Sequence, residues 1–500
     1  MTNPEHFDVV IVGAGLSGIG AASTLRRDHP DKSLLILERR ERMGGTWDLF
    51  RYPGVRSDSD MYTLGYRFRP WTDTKSLADG PSIRQYIVDT AREYGVDQLI
   101  RYQQQLLSAD WSSRDQQWTL RLSTPEGERV VTCVFLYMCS GYYNYDEGYT
   151  PTFAGRDDFA GRIVHPQHWP EDLDVTGKKV VVIGSGATAV TLVPQLARDA
   201  ERVTMLQRSP TYVAAVPSVD AIGDRLQRRK VPTRIAYPIL RWKNVARGVG
   251  IYEFSRRQPQ RMRALLDQGV ARFFKGSDFD YRTHFRPSYD PWDQRLCAVP
   301  GGDLFKAIKR GTADVVTDTI DRFDETGILL GSGKHLDADV IVTATGLNLQ
   351  LLGGAGLSVD GAEVEAPQHY VYKGMALSGV PNFVMTIGYT NASWTLKADL
   401  VAEYVSRLLR HLDKSGYAAF VPEVPAESAR WKSEPLIDLQ SGYVTRSVHL
   451  LPLQGEGWPW KLRQNYPYDL MKLRHGSLTD GVRFITRSTA KNPERELVSA

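Results

Sequence analysis

The apolar positions of the chain fall into two similar blocks. Residues 7–27 read FDVVIVGAGLSGIGAASTLRR, and residues 178–198 read KKVVVIGSGATAVTLVPQLAR. In each, an unbroken apolar run ends at a glycine turn, after which small and apolar residues recur at helical spacing. The run predicts a strand covered on both faces, and the later period predicts a helix packed against it. Apolar stretches at Ser33–Glu38 and Arg202–Gln207 give each block a second strand. Parallel strands joined through a helix make a βαβ unit, so the pattern predicts an α/β protein with two doubly wound parallel-sheet domains.

The rest of the chain attaches to these blocks. Residues 142–175 are rich in Tyr, Asp, Pro and Gly, lack periodicity, and read as a crossing between domains. Residues 222–290 read as a mostly helical, basic insert in the second block, and LDADVIVTATG (336–346) returns to a strand. Beyond about 370, one amphipathic helix near Leu396–Leu412 is expected to rejoin the first domain. This gives a first domain of 1–145 with 370–500, a second of 146–221 with 291–369, and an insert of 222–290.

Composition narrows the class. A chain of 500 residues, 42% hydrophobic and 24% charged, is an ordinary soluble, globular sequence too long for one small core. No apolar run reaches the roughly 18 residues of a membrane span. Asp8 directly precedes the first apolar run, which is not a signal-peptide layout, so a cytoplasmic protein is expected. The three cysteines, Cys133, Cys139 and Cys297, form no CxxC pair, which argues against a disulfide framework, a zinc site or a dithiol reductase. Net charge is +4, but Arg225–Arg263 holds ten Arg and two Lys against one acid, Glu253. Around Tyr237–Phe254 this basic stretch interleaves apolar residues with Arg241, Lys243 and Arg247. Two readings stay open: peripheral contact with an anionic membrane, or a solvated face over a substrate tunnel. Nucleic-acid binding is not expected, because no binding fold surrounds the patch.

The glycine turns carry the first chemistry. Gly13, Gly15 and Gly18 form GxGxxG between strand and helix, and Glu38 ends the next strand 25 residues after Gly13. Such a Rossmann-like turn seats a pyrophosphate on the helix N-terminus, and the acid takes the ribose hydroxyls. Ser17 lies in the same turn. In the second block Gly184, Ser185, Gly186, Ala187, Thr188 and Ala189 form GxGxxA, and Arg208 followed by Ser209 stands where the first block has its acid. A guanidinium there pairs with a 2′-phosphate that a carboxylate repels, which selects NADPH.

Gly44-Gly45-Thr46-Trp47 resembles the second fingerprint of two-dinucleotide-binding-domain flavoproteins, which makes FAD the first ligand. Residues 159–170, FAGRIVHPQHWP, fit F-x-G-x-x-x-H-x-x-x-W-P, a chance match on the order of 3 in 100,000 at this composition. The pattern resembles the signature of type I Baeyer–Villiger monooxygenases. RYPGVRSDSDMYTLGYRFRPW (51–71), CSGYYNYDEGY (139–149), DPWDQRLC (290–297) and GYTNASWTLKADL (388–400) resemble the ethionamide-activating subgroup. The likeness thins in the insert and the last 80 residues.

The resemblance implies an enzyme that uses FAD, NADPH and O2 to turn ketones into esters or lactones through a C4a-peroxyflavin, and to oxidise sulfides and thioamides. It makes Arg295 the active-site cation and Asp58 the carboxylate that positions it. Thr46, Trp47, Asp48 and Leu49 are expected on the flavin, Leu106 by the adenine, and Arg56 and Ser57 towards the nicotinamide. Gln294 departs from the lysine that many relatives carry. His165 is expected to couple domain movement rather than act as a base. A flavin N- or S-hydroxylating monooxygenase and a non-enzymatic NADPH-binding redox sensor are the competing classes. The native substrate and the oligomeric state stay open.

Overall fold

The computed structural model describes residues 4–73, 75–437 and 441–487. The ends of the first-domain assignment, 1–3 and 488–500, lie outside the described residues, as do 74 and 438–440.

The first sheet is built on five parallel strands in the order Phe383–Met385, Gly127–Met138, Glu5–Val12, Leu34–Leu37, Ile100–Arg101. Val9 to Val12 are buried, as the continuous apolar run requires. The strand Gly127–Met138 is long enough to serve two partners on one edge. Its first half pairs antiparallel with Gln117–Thr124, and its last three residues pair in parallel with Phe383–Met385. Gln105–Ser112 continues the antiparallel part. These added strands alternate, with Trp118, Leu120 and Leu122 buried between more exposed neighbours, so they present no unbroken apolar run in the sequence.

The second sheet is parallel throughout: Ala313–Thr317, Arg202–Gln207, Lys179–Ile183, Val340–Thr343, Arg162–Val164. Its edge strand comes from the segment read as a crossing; three residues are too few to carry a period. The two units are linked by a ribbon of Tyr143–Gly148 against Leu347–Leu349. The chain then rejoins the first sheet earlier than position 370: Gly356–Val359 pairs in parallel with Gln105–Ser112, and Ala362–Glu363 pairs with Gly356–Val359. Trp394–Ser415 packs its apolar face into the same core as Leu16–Asp28.

The insert is helical, with Ala221–Arg228, Thr233–Arg257, Pro259–Phe273 and Tyr281–Phe285. Its long helix is fastened to the first unit. The Tyr237 hydroxyl donates to the Tyr66 carbonyl at 2.9 Å, and Arg241 donates to the carbonyls of Tyr62 and Gly65 at 2.9 and 2.7 Å. Arg241 also pairs with Asp399 at 3.0 Å, each side chain only 6% exposed. Lys243 pairs with Asp220. Of the three cations expected on an outer basic face, Arg241 is therefore turned inward and Lys243 is matched by a carboxylate. No helix among the described residues is long and apolar enough to cross a membrane.

Breaking the buried pair should be costly, because the remaining carboxylate is left uncompensated. Burial lifts the Asp399 carboxyl to about 6, against the pull of Arg241. An acid whose folded value exceeds its unfolded one takes its proton first in the folded state, so charge strain is present above that value and fades below it. Arg241→Met should lose about 3–5 kcal/mol near neutral pH. The loss should shrink as pH falls towards about 6, where Asp399 takes up a proton even with Arg241 in place, in urea melts followed by circular dichroism. An equal loss at neutral and acid pH would place the cost in packing instead.

Candidate functional site

A single cavity of about 1240 Å³ is lined by both glycine loops. In the first, Gly13 has φ +108°, and a Cβ there would sit 2.7 Å from the Cys139 carbonyl oxygen, so only glycine is tolerated. Gly15 lies on the cavity wall. Gly18 lies behind it; a Cβ there would be 1.8 Å from the Gly13 oxygen, which fixes how closely helix and strand pack. The helix Leu16–Asp28 has no side-chain cap, so its first N–H groups remain available to an anion.

Glu38 is buried on the wall and accepts the amides of Ala14 and Arg40, both at 2.9 Å. Burial raises its pKa and the two amides oppose the rise. Each carboxylate oxygen keeps a further lone pair for a ribose hydroxyl. Ser17 is on the wall, where its hydroxyl accepts from the Trp394 indole at 2.7 Å. Thr46 meets the Tyr145 hydroxyl at 3.3 Å, and Trp47 and Leu106 also line the cavity.

Asp48 and Leu49 do not reach this wall. Thr46–Leu49 is one helical turn, so its residues point in different directions. The Asp48 carboxylate instead faces Arg40 and Arg84, each at 2.9 Å, and anchors the loop from behind.

The second loop repeats the arrangement. Gly184 has φ +137°, and a Cβ would stand 2.3 Å from the Ala344 oxygen. At Gly186 nothing lies within 4 Å of a Cβ position, so the backbone is open to a ligand. Ser185, Ala187 and Thr188 line the cavity, while Ala189 is fully buried in the packing of an uncapped helix, Ala187–Leu196. Ser185 bonds the Thr211 hydroxyl at 2.8 Å and the Ser209 carbonyl at 3.3 Å. Arg208 is exposed on the wall beside Ser209, and its guanidinium has no hydrogen bond or ion pair among the described residues.

Asp58 and Arg295 meet on the wall between the loops. The guanidinium grips the carboxylate twice, at 2.9 and 3.1 Å. Asp58 holds the Arg295 pKa above the ordinary guanidinium range. Tyr142, Tyr143 and Tyr443 stand within its electrostatic reach, and burial pushes the Tyr443 phenol up to about 12. Arg56 pairs with Asp303 at 2.9 Å and Ser57 is buried beside it, both on the wall with Gln294.

Sequence reasoning gave no role to Tyr142, Tyr143, Trp394, Tyr443 or Arg446, all on the wall. The first three stand inside quoted motifs; Tyr443 and Arg446 belong to Gly442–Ser447, where the family likeness thins. No residue of 222–290 lines the cavity. His165 is also off the wall, its Nδ1 accepting from the Gln167 amide at 3.2 Å and its Nε2 facing the Gly346 carbonyl at 3.1 Å.

Two uncapped helix N-termini, two glycine loops, one buried acid and one free guanidinium around a common space fit two dinucleotides. Residues 11–74 match the family described as NAD(P)-binding Rossmann-like domain, and residues 70–222 match flavin-binding monooxygenase-like. Over 97% of its length the chain is 54% identical to FAD-containing monooxygenase EthA of Mycobacterium tuberculosis, covering 98% of that protein. Its fold is similar to a steroid monooxygenase solved with NADP bound (TM-score 0.75, 23% identity, 96% of this chain and 100% of that one). It is equally similar to a cyclohexanone monooxygenase solved with ε-caprolactone (TM-score 0.75, 18% identity, 96% and 100% covered). The chain belongs to the family of FAD-containing, flavin-binding monooxygenases.

Proposed function

We propose that this monooxygenase inserts one oxygen atom of O2 into ketones to give esters or lactones, and oxidises sulfides and thioamides. The bidentate Asp58–Arg295 pair, on the wall shared by both glycine loops, carries the reading. The overall balance is ketone, O2, NADPH and a proton giving ester, NADP and water. FAD at the first loop, once reduced by NADPH, supplies the activated oxygen.

Every other requirement falls on the chain's own residues. Gly13, Gly15 and the free amides behind them hold the FAD pyrophosphate, and Glu38 holds its ribose. Gly184, Gly186 and the second helix N-terminus hold the NADPH pyrophosphate, and Arg208 takes the 2′-phosphate. The first sheet, with residues 356–363, carries FAD, and the second sheet carries NADPH.

Arg295 is the catalytic residue. As oxygen adds to a carbonyl carbon, negative charge moves onto the carbonyl oxygen, and a fixed guanidinium there favours that charge more than it favours the neutral ketone. A guanidinium keeps its own proton at any working pH, so it stabilises the anion without quenching it. Asp58 is a positioning residue that fixes the plane of the fork. The phenols of Tyr142, Tyr143 and Tyr443 remain protonated and offer further donors along an aromatic wall. The relative solved with ε-caprolactone, the ring ester expected from cyclohexanone, supports the same reaction class. A flavin N-hydroxylase has no use for this cation–carboxylate pair.

Incubation with NADPH should bleach the flavin absorbance and start oxygen uptake. With labelled O2, one heavy oxygen should appear in products from a panel of linear ketones, aryl ketones and thioethers. NADPH consumption with no oxygenated product from any of them would sink the reading. Arg295→Ala should keep NADPH oxidation, now releasing hydrogen peroxide, and lose ester formation by about a hundredfold or more. Ester yield at the parent level would remove Arg295 from the catalytic role. Arg208→Ala should raise the KM for NADPH by about tenfold to a hundredfold while leaving NADH little changed. A parallel rise for both nucleotides would mean that Arg208 does not read the 2′-phosphate.

A further inference from the structure

The long helix of the insert has a second face that the cavity does not use. Tyr237, Leu240, Arg241, Asn244 and Ser255 turn inward. On the opposite side Ile235, Ile239 and Trp242 are 49%, 50% and 48% exposed. Their spacing of four and then three places them in one stripe over the first turns of the helix. The stripe ends further along, where Glu253 pairs with Arg257. Single exposed apolar residues call for no explanation, but a row that includes a tryptophan marks a contact surface.

The charge beside it is one-sided. Arg229, Lys230 and Arg234 lead into Ile235, all exposed, and none of their side chains has a hydrogen bond or ion pair among the described residues. The neighbouring cations Arg228 and Lys243 are already matched by Asp224 and Asp220. An apolar row bordered by unmatched cations is complementary to one surface chemistry: anionic headgroups over hydrocarbon.

We infer that this face docks peripherally on an anionic lipid bilayer. Ile235, Ile239 and Trp242 enter the boundary between headgroups and acyl chains, and Arg229, Lys230 and Arg234 lie against the phosphates. A second copy of the chain fits less well. A two-fold interface sets the same patch against itself, which would oppose three unmatched cations to three others. The inference goes beyond the proposed reaction and does not depend on it.

The test uses the full chain loaded with FAD and sedimented with vesicles of phosphatidylcholine, alone or mixed with phosphatidylglycerol. The protein should co-sediment with the anionic vesicles, weakly with the neutral ones, and less as salt is raised. Ile235→Ser/Ile239→Ser/Trp242→Ser should abolish co-sedimentation. Arg229→Gln/Lys230→Gln/Arg234→Gln should weaken it by about fivefold per cation, or about a hundredfold together. Flavin absorbance and NADPH oxidation in solution should be unchanged in both variants, which reports an intact fold. No co-sedimentation of the parent protein, or equal co-sedimentation of both variants, overturns the inference. A concentration-dependent dimer dispersed by the serine variant assigns the face to a second copy and overturns it as well.

Discussion

The pairing of Asp58 with Arg295 depends on how the two units meet, and most of the architecture can be understood as securing that meeting. Asp58 lies on a segment that passes from one core to the other. Phe50, Tyr52 and Val55 pack with the second sheet, whereas Met61 and Leu64 pack with the first. Arg295 arrives from the second unit, two residues before Cys297–Pro300, which pairs with Val213–Val216. Neither unit alone contains the pair. A bidentate guanidinium–carboxylate contact tolerates little displacement, so the docking of the units must be defined to within a fraction of an ångström at this point.

Three fastenings supply that definition. The ribbon of Tyr143–Gly148 with Leu347–Leu349 joins the units through backbone hydrogen bonds. The crossing segment buries side chains on both sides. The insert, rooted in the second unit, places Arg241 under the carbonyls of Tyr62 and Gly65 and against Asp399. Those carbonyls flank Leu64, which lines the cavity. Arg241 therefore acts on the site from outside, by holding a wall segment in place. This also explains why a cation sits deep in the interface: two carbonyls, the Tyr237 hydroxyl and the Asp399 carboxylate meet its terminal nitrogens, which offsets much of its lost hydration.

What was legible in the sequence follows from the range of each interaction. The glycine loops were legible because their constraint is local: a Cβ at position 13 or 184 collides with backbone a few ångströms away. The strands beside them were legible because burial on both faces leaves an unbroken apolar run; Arg202–Gln207 matches its expected bounds, and Leu34–Leu37 falls inside them. The antiparallel strands were hidden by their alternation, and Arg162–Val164 by its brevity. Asp58 and Arg295 were found by family likeness; nothing in spacing brings together two residues 237 positions apart. Tyr443 and Arg446 had no signal at all, since only the fold carries a late helix to this wall. Counting cations in the insert misled for the same reason, because the partner of Arg241 stands 158 residues away.

His165 illustrates why chemical conspicuousness is a poor guide here. Its Nδ1 accepts a backbone amide, so the proton resides on Nε2 and is directed at the Gly346 carbonyl. Burial holds the imidazole below its ordinary pKa, which keeps it neutral. A Cβ on Gly148 would fall 2.1 Å from the ring, so the linking ribbon is shaped around it. Gly346 in turn follows Ala344, whose carbonyl backs the second glycine loop. A proton gained by His165 would oppose its contact with the Gln167 amide, and a proton lost would break its contact with Gly346, so this ring is suited to stay unchanged through a reaction. It connects the linker mechanically to the floor of one dinucleotide loop. The cations on the cavity wall are arginines, and they do not titrate near neutrality. A site that stabilises an anionic oxygen must keep its charge without surrendering a proton. On the proposed function that requirement separates the roles: a guanidinium such as that of Arg295, on the cavity wall, suits the reacting atoms, whereas the imidazole of His165 stays off the wall.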